Sequence, residues 1–218
     1  MLIEPPLKKH HHMQAQRITK WILKLIRPFY VSICDNIVLI DLDKFYYHSE
    51  PQSNLNVTFK KFINHDLECV KSIFGRKVYD KFLGRMNQAY GFLVMVDEEI
   101  AGYCWSSDKI CYNEGVSPFF YHIHPKENTI YFYDAYIKPG MRGRDLYSKL
   151  FQYRLMDAQE RGYKKAFFFV DATNKAMLQF CNKHHFMIAG VIRYKKYVWL
   201  EMRDISHLDK VCRTSEIH

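Results

Sequence analysis

Residues 138–149 read KPGMRGRDLYSK and hold four cations, one acid and two glycines. They join an apolar, strand-like run, IYFYDAYI (130–137), to a helical pattern, LYSKLFQYRLMDAQERG (146–162), that Gly162 stops. A strand-to-helix junction presents unpaired backbone N–H groups at the positive end of a helix dipole. Such a junction holds phosphate through the backbone, and basic side chains strengthen it. Between Lys138 and Lys165 stand eight basic and three acidic residues, a local +5 out of the chain's +9. The chemistry this predicts is the holding of an anionic, phosphate-bearing ligand. The bland alternative is an ordinary connecting loop beside a solvated basic helix. Neither GxxxxGK[ST] nor GxGxxG is present, so the loop is neither a P-loop nor a dinucleotide fingerprint.

Other residue types suit proton transfer. Asp134 stands inside the aromatic strand run, where a carboxylate either takes a proton from an attacking amine, anchors a substrate, or pairs with a nearby Arg or Tyr hydroxyl. Cys181 is either a weak general acid or a small buried hydrophobe. Cys181, His184 and His185 have metal-like i, i+3, i+4 spacing, but no fourth ligand is visible and no metal is expected. His122 and His124 alternate to one strand face, where they line an acceptor cleft or pack among aromatics. Tyr131, Tyr133 and Tyr136 donate a proton, stack on a substrate or serve the core.

The elements that must position these residues follow from periodicity. Residues 1–13 read as a disordered leader, and 14–56 as an N-terminal extension. Within it, Ile18, Trp21, Ile22, Leu25 and Ile26 fall at helical spacing, while Arg17, Lys20, Lys24 and Arg27 take the other face. This basic amphipathic helix either docks on its own domain or lies on an anionic membrane. Residues 29–46 predict two short strands around Asp35-Asn36, and HSEPQSNLN (48–56) is a polar linker. The main domain, 57–205, predicts a strand at 57–63, helices near 64–74 and 76–89, and a hairpin from 91–97 and 100–106. An irregular stretch at 107–129 precedes the strand at 130–137. After the basic loop come a helix at 146–162, a strand at 164–171, a helix at 174–185 and one or two strands over 186–202. Residues 206–218 read as a tail. Strands alternating with helices predict a mixed α/β or α+β fold, a mixed sheet with helices on its faces.

The 218 residues are 48% hydrophobic and 25% charged, which excludes a disordered or collagen-like chain. The excess of 32 Lys and Arg over 23 Asp and Glu favours an anionic partner. Six scattered cysteines without a CxxC pair predict a reduced, cytoplasmic protein, and the N-terminus lacks a secretory h-region. Nothing resembles a nucleic-acid-binding motif, which argues against that partner.

In order along the chain, GFLVMVDEEIAGYCW, YIKPGMRGRDLYSKL and VDATNKAMLQFCNKHHF resemble three motifs of the GNAT N-acetyltransferase superfamily. The second resembles V-x-P-x-x-R-G-x-G-x-G-x-x-L and the third V-x-x-x-N-x-x-A-x-x-x-Y-x-K-x-G-F. The resemblance covers roughly 57–202. It implies a central splayed mixed sheet and acetyl-CoA or another acyl-CoA as co-substrate. Pyrophosphate would be held by backbone amides of Arg142, Gly143, Arg144, Asp145, Leu146 and Tyr147. The pantetheine arm would pair with Ala135, Tyr136 and Ile137, with Asn174 beside it. Asp134 and Cys181 occupy places of catalytic residues. The chain departs from the pattern at Asp145 and Tyr147, which replace glycine positions, at Cys181, which replaces a proton-donating Tyr, and at His185, which replaces a Gly. The implied activity is direct N-acyl transfer to a small amine or amino-sugar acceptor in a ternary complex. The alternative is a weakened acyl-CoA-binding sensor or interaction module. Oligomeric state is not legible.

Overall fold

A computed structural model describes residues 30–45, 56–109, 111–112, 122–197 and 200–213. The leader, the helix expected at 14–27 and most of the 48–56 linker lie outside the described residues. The sheet has eight strands: β1 (Tyr30–Asp41), β2 (Val57–Lys61), β3 (Tyr90–Val96), β4 (Glu99–Ser107), β7 (Thr129–Ile137), β8 (Lys165–Asp171), β9 (Met187–Tyr197) and β10 (Leu200–Asp204). Their order is β10-β9-β1-β8-β7-β4-β3-β2, and only β7 and β8 are parallel neighbours. A separate two-stranded pair, β5 (Cys111–Tyr112) and β6 (His122–Ile123), lies within the stretch read as irregular. Among the described residues four helices flank the sheet: α1 (Leu67–Phe74), α2 (Arg76–Arg85), α3 (Leu146–Glu160) and α4 (Lys175–Lys183). Among the described residues no helix is long and apolar enough to cross a membrane.

The two short strands expected over 29–46 are one strand. β1 runs through Asp35-Asn36 without turning, because it is paired on both sides. Asp35 faces Asp171 of β8 and Ile192 of β9, and Asn36 Nδ2 donates to Val170 O at 3.4 Å. Two ladders override the turn propensity of the pair. Ile37, Val38 and Ile40 are buried, the continuous pattern of a strand covered on both faces.

One face carries α3 and α4. Phe151, Leu155 and Ala158 of α3 and Cys181 of α4 pack there on Val38, Ile130, Phe132, Phe168 and Val170. The other face carries α1 and α2 over β3 and β4, with Phe82 against Trp105 at 4.8 Å in edge geometry. Beyond them the expected C-terminal tail is instead structural over 206–212. Its 3-10 turn (Ser206–Lys210) buries Leu208, and Val211 and Cys212 join the same cluster. Apolar side chains at this spacing cover Ile37, Phe167 and Ile192, which would otherwise face water.

Candidate active site

The site begins with a defect in β7. Tyr133 pairs with Trp105 and Tyr136 with Tyr103, so Asp134 and Ala135 together oppose Cys104 alone. This is a β-bulge, and Asp134 takes φ +42° in it. A bulge bends its strand. Accordingly the parallel ladder to β8 stops at Tyr131–Phe167, while β7 runs on to Ile137 and β8 to Asp171. The two strands part, leaving the β8-facing edge of Ala135–Ile137 outside that ladder. Gly102 makes the bend close-packed. A Cβ there would stand 2.2 Å from Tyr136 O.

The bulge is tied to α2. Arg85, 3% exposed, donates from Nη1 to Asp134 Oδ2 at 2.6 Å. Its guanidinium lies 5.5 Å from the Trp105 ring and 5.1 Å from the Tyr133 ring. Lys81 Nζ is 3.7 Å from the same oxygen. Of the roles the sequence leaves open for Asp134, the pairing with an arginine is the one the geometry displays.

Past the bulge, a cleft of about 700 Å³ opens between the end of β7, the basic loop, the start of α3 and helix α4. Nine of the ten residues expected to hold the cofactor line it: Ala135, Tyr136, Ile137, Arg142, Gly143, Asp145, Leu146, Tyr147 and Asn174. Arg144 does not. Asp145 adopts the left-handed conformation, φ +58°, that lets the chain enter α3. Its carboxylate makes no cap to the helix, contrary to the usual behaviour of Asp at an N-cap, so the first-turn N–H groups are left open to a ligand. Asn174 does cap α4, accepting from Met177 N at 3.1 Å. Arg142 turns back, donating from Nε to Ile137 O at 3.0 Å and lying 5.7 Å from the Tyr136 ring.

The +5 of the sequence is not a +5 in space. Arg154 is buried over the Phe132 ring at 4.2 Å and donates to Trp105 O. Arg161 pairs with Asp157, and Lys164 with Asp43, at the far end of α3. The loop and first turn of α3 retain Lys138, Arg142, Arg144 and Lys149 against Asp145.

The sequence profile of the Acetyltransferase (GNAT) family matches residues 59–186. The chain belongs to the GNAT acetyltransferase family. GNAT members are acyl-CoA acyltransferases, and the mixed sheet with four flanking helices is their fold. No curated protein matches the chain at a significant level. Among solved structures it is similar to a GCN5-related N-acetyltransferase from Sphaerobacter thermophilus, at 14% identity and TM-score 0.52, covering 83% of this chain and 56% of that one. A functionally unknown conserved protein from Staphylococcus epidermidis is similar at 9% identity and TM-score 0.52, covering 80% and 64%. A Drosophila protein is similar at 10% and 0.53, covering 84% and 57%. The chain thus spans less than two thirds of the length of each of these structures.

In GNAT terms the departures have physical answers. Tyr147, at a place of small residues, turns its ring between α3 and α4, edge-on to Phe180 at 5.4 Å and stacked on Phe151 at 6.3 Å. The cleft therefore stays open beside it. His185, at the glycine place of the motif, takes φ +54°, a conformation that favours glycine. Cys181 is 2% exposed and does not line the cleft, and burial pushes its thiol up to about 11. That is the small-hydrophobe alternative. The side chain of His122 lies outside what is described, and His124 is half-buried at the end of β6, its carbonyl accepting from Arg213 N at 2.8 Å. Among the described residues no group of three or more His, Cys, Asp or Glu side chains is placed to hold a metal.

Sequence reasoning missed Arg85 and Gly102. Arg85 carries no local signal, since its partner lies 49 residues away. Gly102 carried one, because a glycine inside a strand marks a bulge or a close backbone approach.

Proposed function

We propose that the chain is an acyl-CoA-dependent N-acyltransferase acting on a small amine or amino sugar. The observation that carries this reading is the cleft itself. One continuous space joins an open strand edge, able to pair with an amide-bearing arm, to the N-terminus of a 15-residue helix, able to hold pyrophosphate. An acceptor amine would attack the thioester carbonyl, forming a C–N bond as the C–S bond breaks; the nitrogen would give up one proton to solvent and the departing thiolate would take one. The group that suits that donation is Tyr147. It lines the cleft and is protonated at neutral pH, as an ordinary tyrosine is, while burial, by raising its hydroxyl to about 12, makes it a weaker acid. Asp134 fits a positioning role: with Oδ2 engaged by Arg85 and Lys81, it fixes the bulge that opens the cleft.

A second reading is a sensor that binds acyl-CoA without turnover. Asp145 favours it, since its exposed carboxylate stands at the mouth where pyrophosphate would sit. One pair of measurements separates the two. A hundredfold excess of acetyl-CoA over its Kd stabilises the fold by about 2.7 kcal/mol, or roughly 5–10 °C in Tm for a chain this long. CoA release is then followed against a panel of amines and amino sugars. A shift with release supports the enzyme, a shift without release the sensor, and no shift at millimolar acetyl-CoA sinks both.

A further inference from the structure

A second cavity, of about 230 Å³, lies at the opposite end of the sheet from the cleft. It opens between the end of β2, the turn that joins α2 to β3, and the end of β4. Strand β4 measures the separation. Gly102 pairs with Ile137 beside the cleft and Ser107 with Tyr131 at the far end, about 17 Å along the strand. An amine seated in this cavity therefore cannot reach a thioester in the cleft. The walls are fixed. Trp105 is fully buried, and a Cβ on Gly91 would stand 2.9 Å from its indole, so only glycine lets the ring lie there. Ser107 Oγ donates to Gln88 O at 2.8 Å, which ties the turn to the end of β4. Tyr163 OH donates to Asp108 Oδ2 at 2.7 Å. Other atoms of the same residues lack partners. Among the described residues Trp105 Nε1, Gln88 Oε1 and Asp108 Oδ1 are buried without a hydrogen bond, and all three residues line this one cavity. Native interiors leave few such groups, and here three share one space.

We propose that this cavity is a binding site for a small zwitterion, a free amino acid. The inventory of its wall selects that chemistry. Gln88 Oε1 and Asp108 Oδ1 only accept, and Asp108 adds a negative charge, so they call for a donor-rich cation such as an ammonium group. Trp105 Nε1 only donates, and the exposed side chains of Lys61 and Lys109 line the same space, so this part calls for a carboxylate. An α-amino acid carries both groups on one carbon. Met86 and Ala89, also in the wall, suit an apolar side chain. The volume is several times a single water's share of about 30 Å³, so the space admits a molecule of that size.

The test uses the full chain and no acyl transfer, so its outcome is independent of the transfer reading. The chain has three Trp, hence three indole N–H signals in a ¹H–¹⁵N spectrum. The signal missing from Trp105→Phe is that of Trp105; where that variant does not fold, Trp21→Phe and Trp199→Phe identify it by elimination. Each standard L-amino acid is added at millimolar concentration, with ammonium chloride, sodium acetate and sodium chloride as controls. At least one amino acid should shift the Trp105 signal saturably, and acetyl-CoA should not displace it. Asp108→Asn should raise the Kd of that amino acid at least about tenfold and Gln88→Met about threefold, while amides of β8 report that each variant is folded. A Trp105 signal that no amino acid moves overturns the proposal and leaves water in the cavity. An equal shift with ammonium or acetate alone reduces the occupant to a simple ion and overturns it. Displacement by acetyl-CoA places the amino acid in the cleft instead and overturns it, as does unchanged affinity in both variants.

Discussion

Asp134→Asn separates a structural carboxylate from a catalytic one. The change keeps the shape of the side chain and removes its charge. Arg85, 3% exposed between two aromatic rings, then loses the carboxylate bonded to it at 2.6 Å. Removing one partner of a buried pair costs about 3–5 kcal/mol, because the other charge is left in a poorly solvated place. Asp134 is 20% exposed and Lys81 shares its oxygen, so the low end applies, about 3 kcal/mol. For a chain of this size that is a fall in Tm of roughly 6–12 °C. Arg85→Met should behave differently, since its apolar chain fills the same slot between Trp105 and Tyr133. The double variant should be less destabilised than the sum of the singles, with a coupling of about 1–3 kcal/mol. Differential scanning calorimetry and CoA release on the same four proteins decide the matter. If Asp134→Asn melts within a degree or two of the parent and yet releases no CoA, the carboxylate acts on the substrate and the structural account of the bulge is wrong.

Gly102→Ala places a methyl 2.2 Å from Tyr136 O, which forces β4 and β7 apart at the bulge; a loss of about 3 kcal/mol is expected, with acetyl-CoA binding lost alongside, and a variant binding acetyl-CoA with unchanged Tm would refute the close-packing argument. In alkali, burial holds Cys104 and Cys181 up to about 11 and Cys212 up to about 12, above the 9.0 of a free thiol. The unfolded chain loses these protons first, so the stability they confer is complete below pH 9 and is lost as pH rises through 11; each thiol removes about 1.4 kcal/mol per pH unit in that window, and Cys181→Ala should flatten the Tm-against-pH curve above pH 9. Tyr147→Phe should leave acetyl-CoA affinity within about twofold and lower kcat by about a hundredfold; pairing Tyr147→Gly with Cys181→Tyr should recover part of that rate, and unchanged kcat in Tyr147→Phe removes Tyr147 from the chemistry.

What was legible in the sequence was local. The start of α3 at Leu146 and its stop at Gly162 are each decided within a few residues, and the structure shows the helix over Leu146–Glu160 and Gly162 at φ +85°. Long-range pairing was not. Asp35-Asn36 carries the composition of a turn, and only two neighbouring ladders keep it extended. The cations after Lys138 are adjacent in sequence, yet a 15-residue helix carries Arg154 and Arg161 away from the loop. Leu208, Val211 and Cys212 looked like a tail because three apolar residues among polar ones have no period to betray their burial.

The same distinction explains how the site tolerates its two largest departures. Read one position at a time, Tyr147 is too big for a glycine place and Cys181 too small for a tyrosine place. In space both side chains belong to the single cluster between α3 and α4, together with Phe151, Phe168 and Phe180. The volume lost at Cys181 is available to the ring gained at Tyr147, and volume-conserving exchanges are those a packed interior accepts most readily. An aromatic hydroxyl thus still enters the region between the two helices, from α3 instead of α4. Burial makes it a weaker acid than a free tyrosine, and it sits in a residue that lines the cleft. Read position by position the motif shows two losses, whereas both side chains lie in one packed cluster.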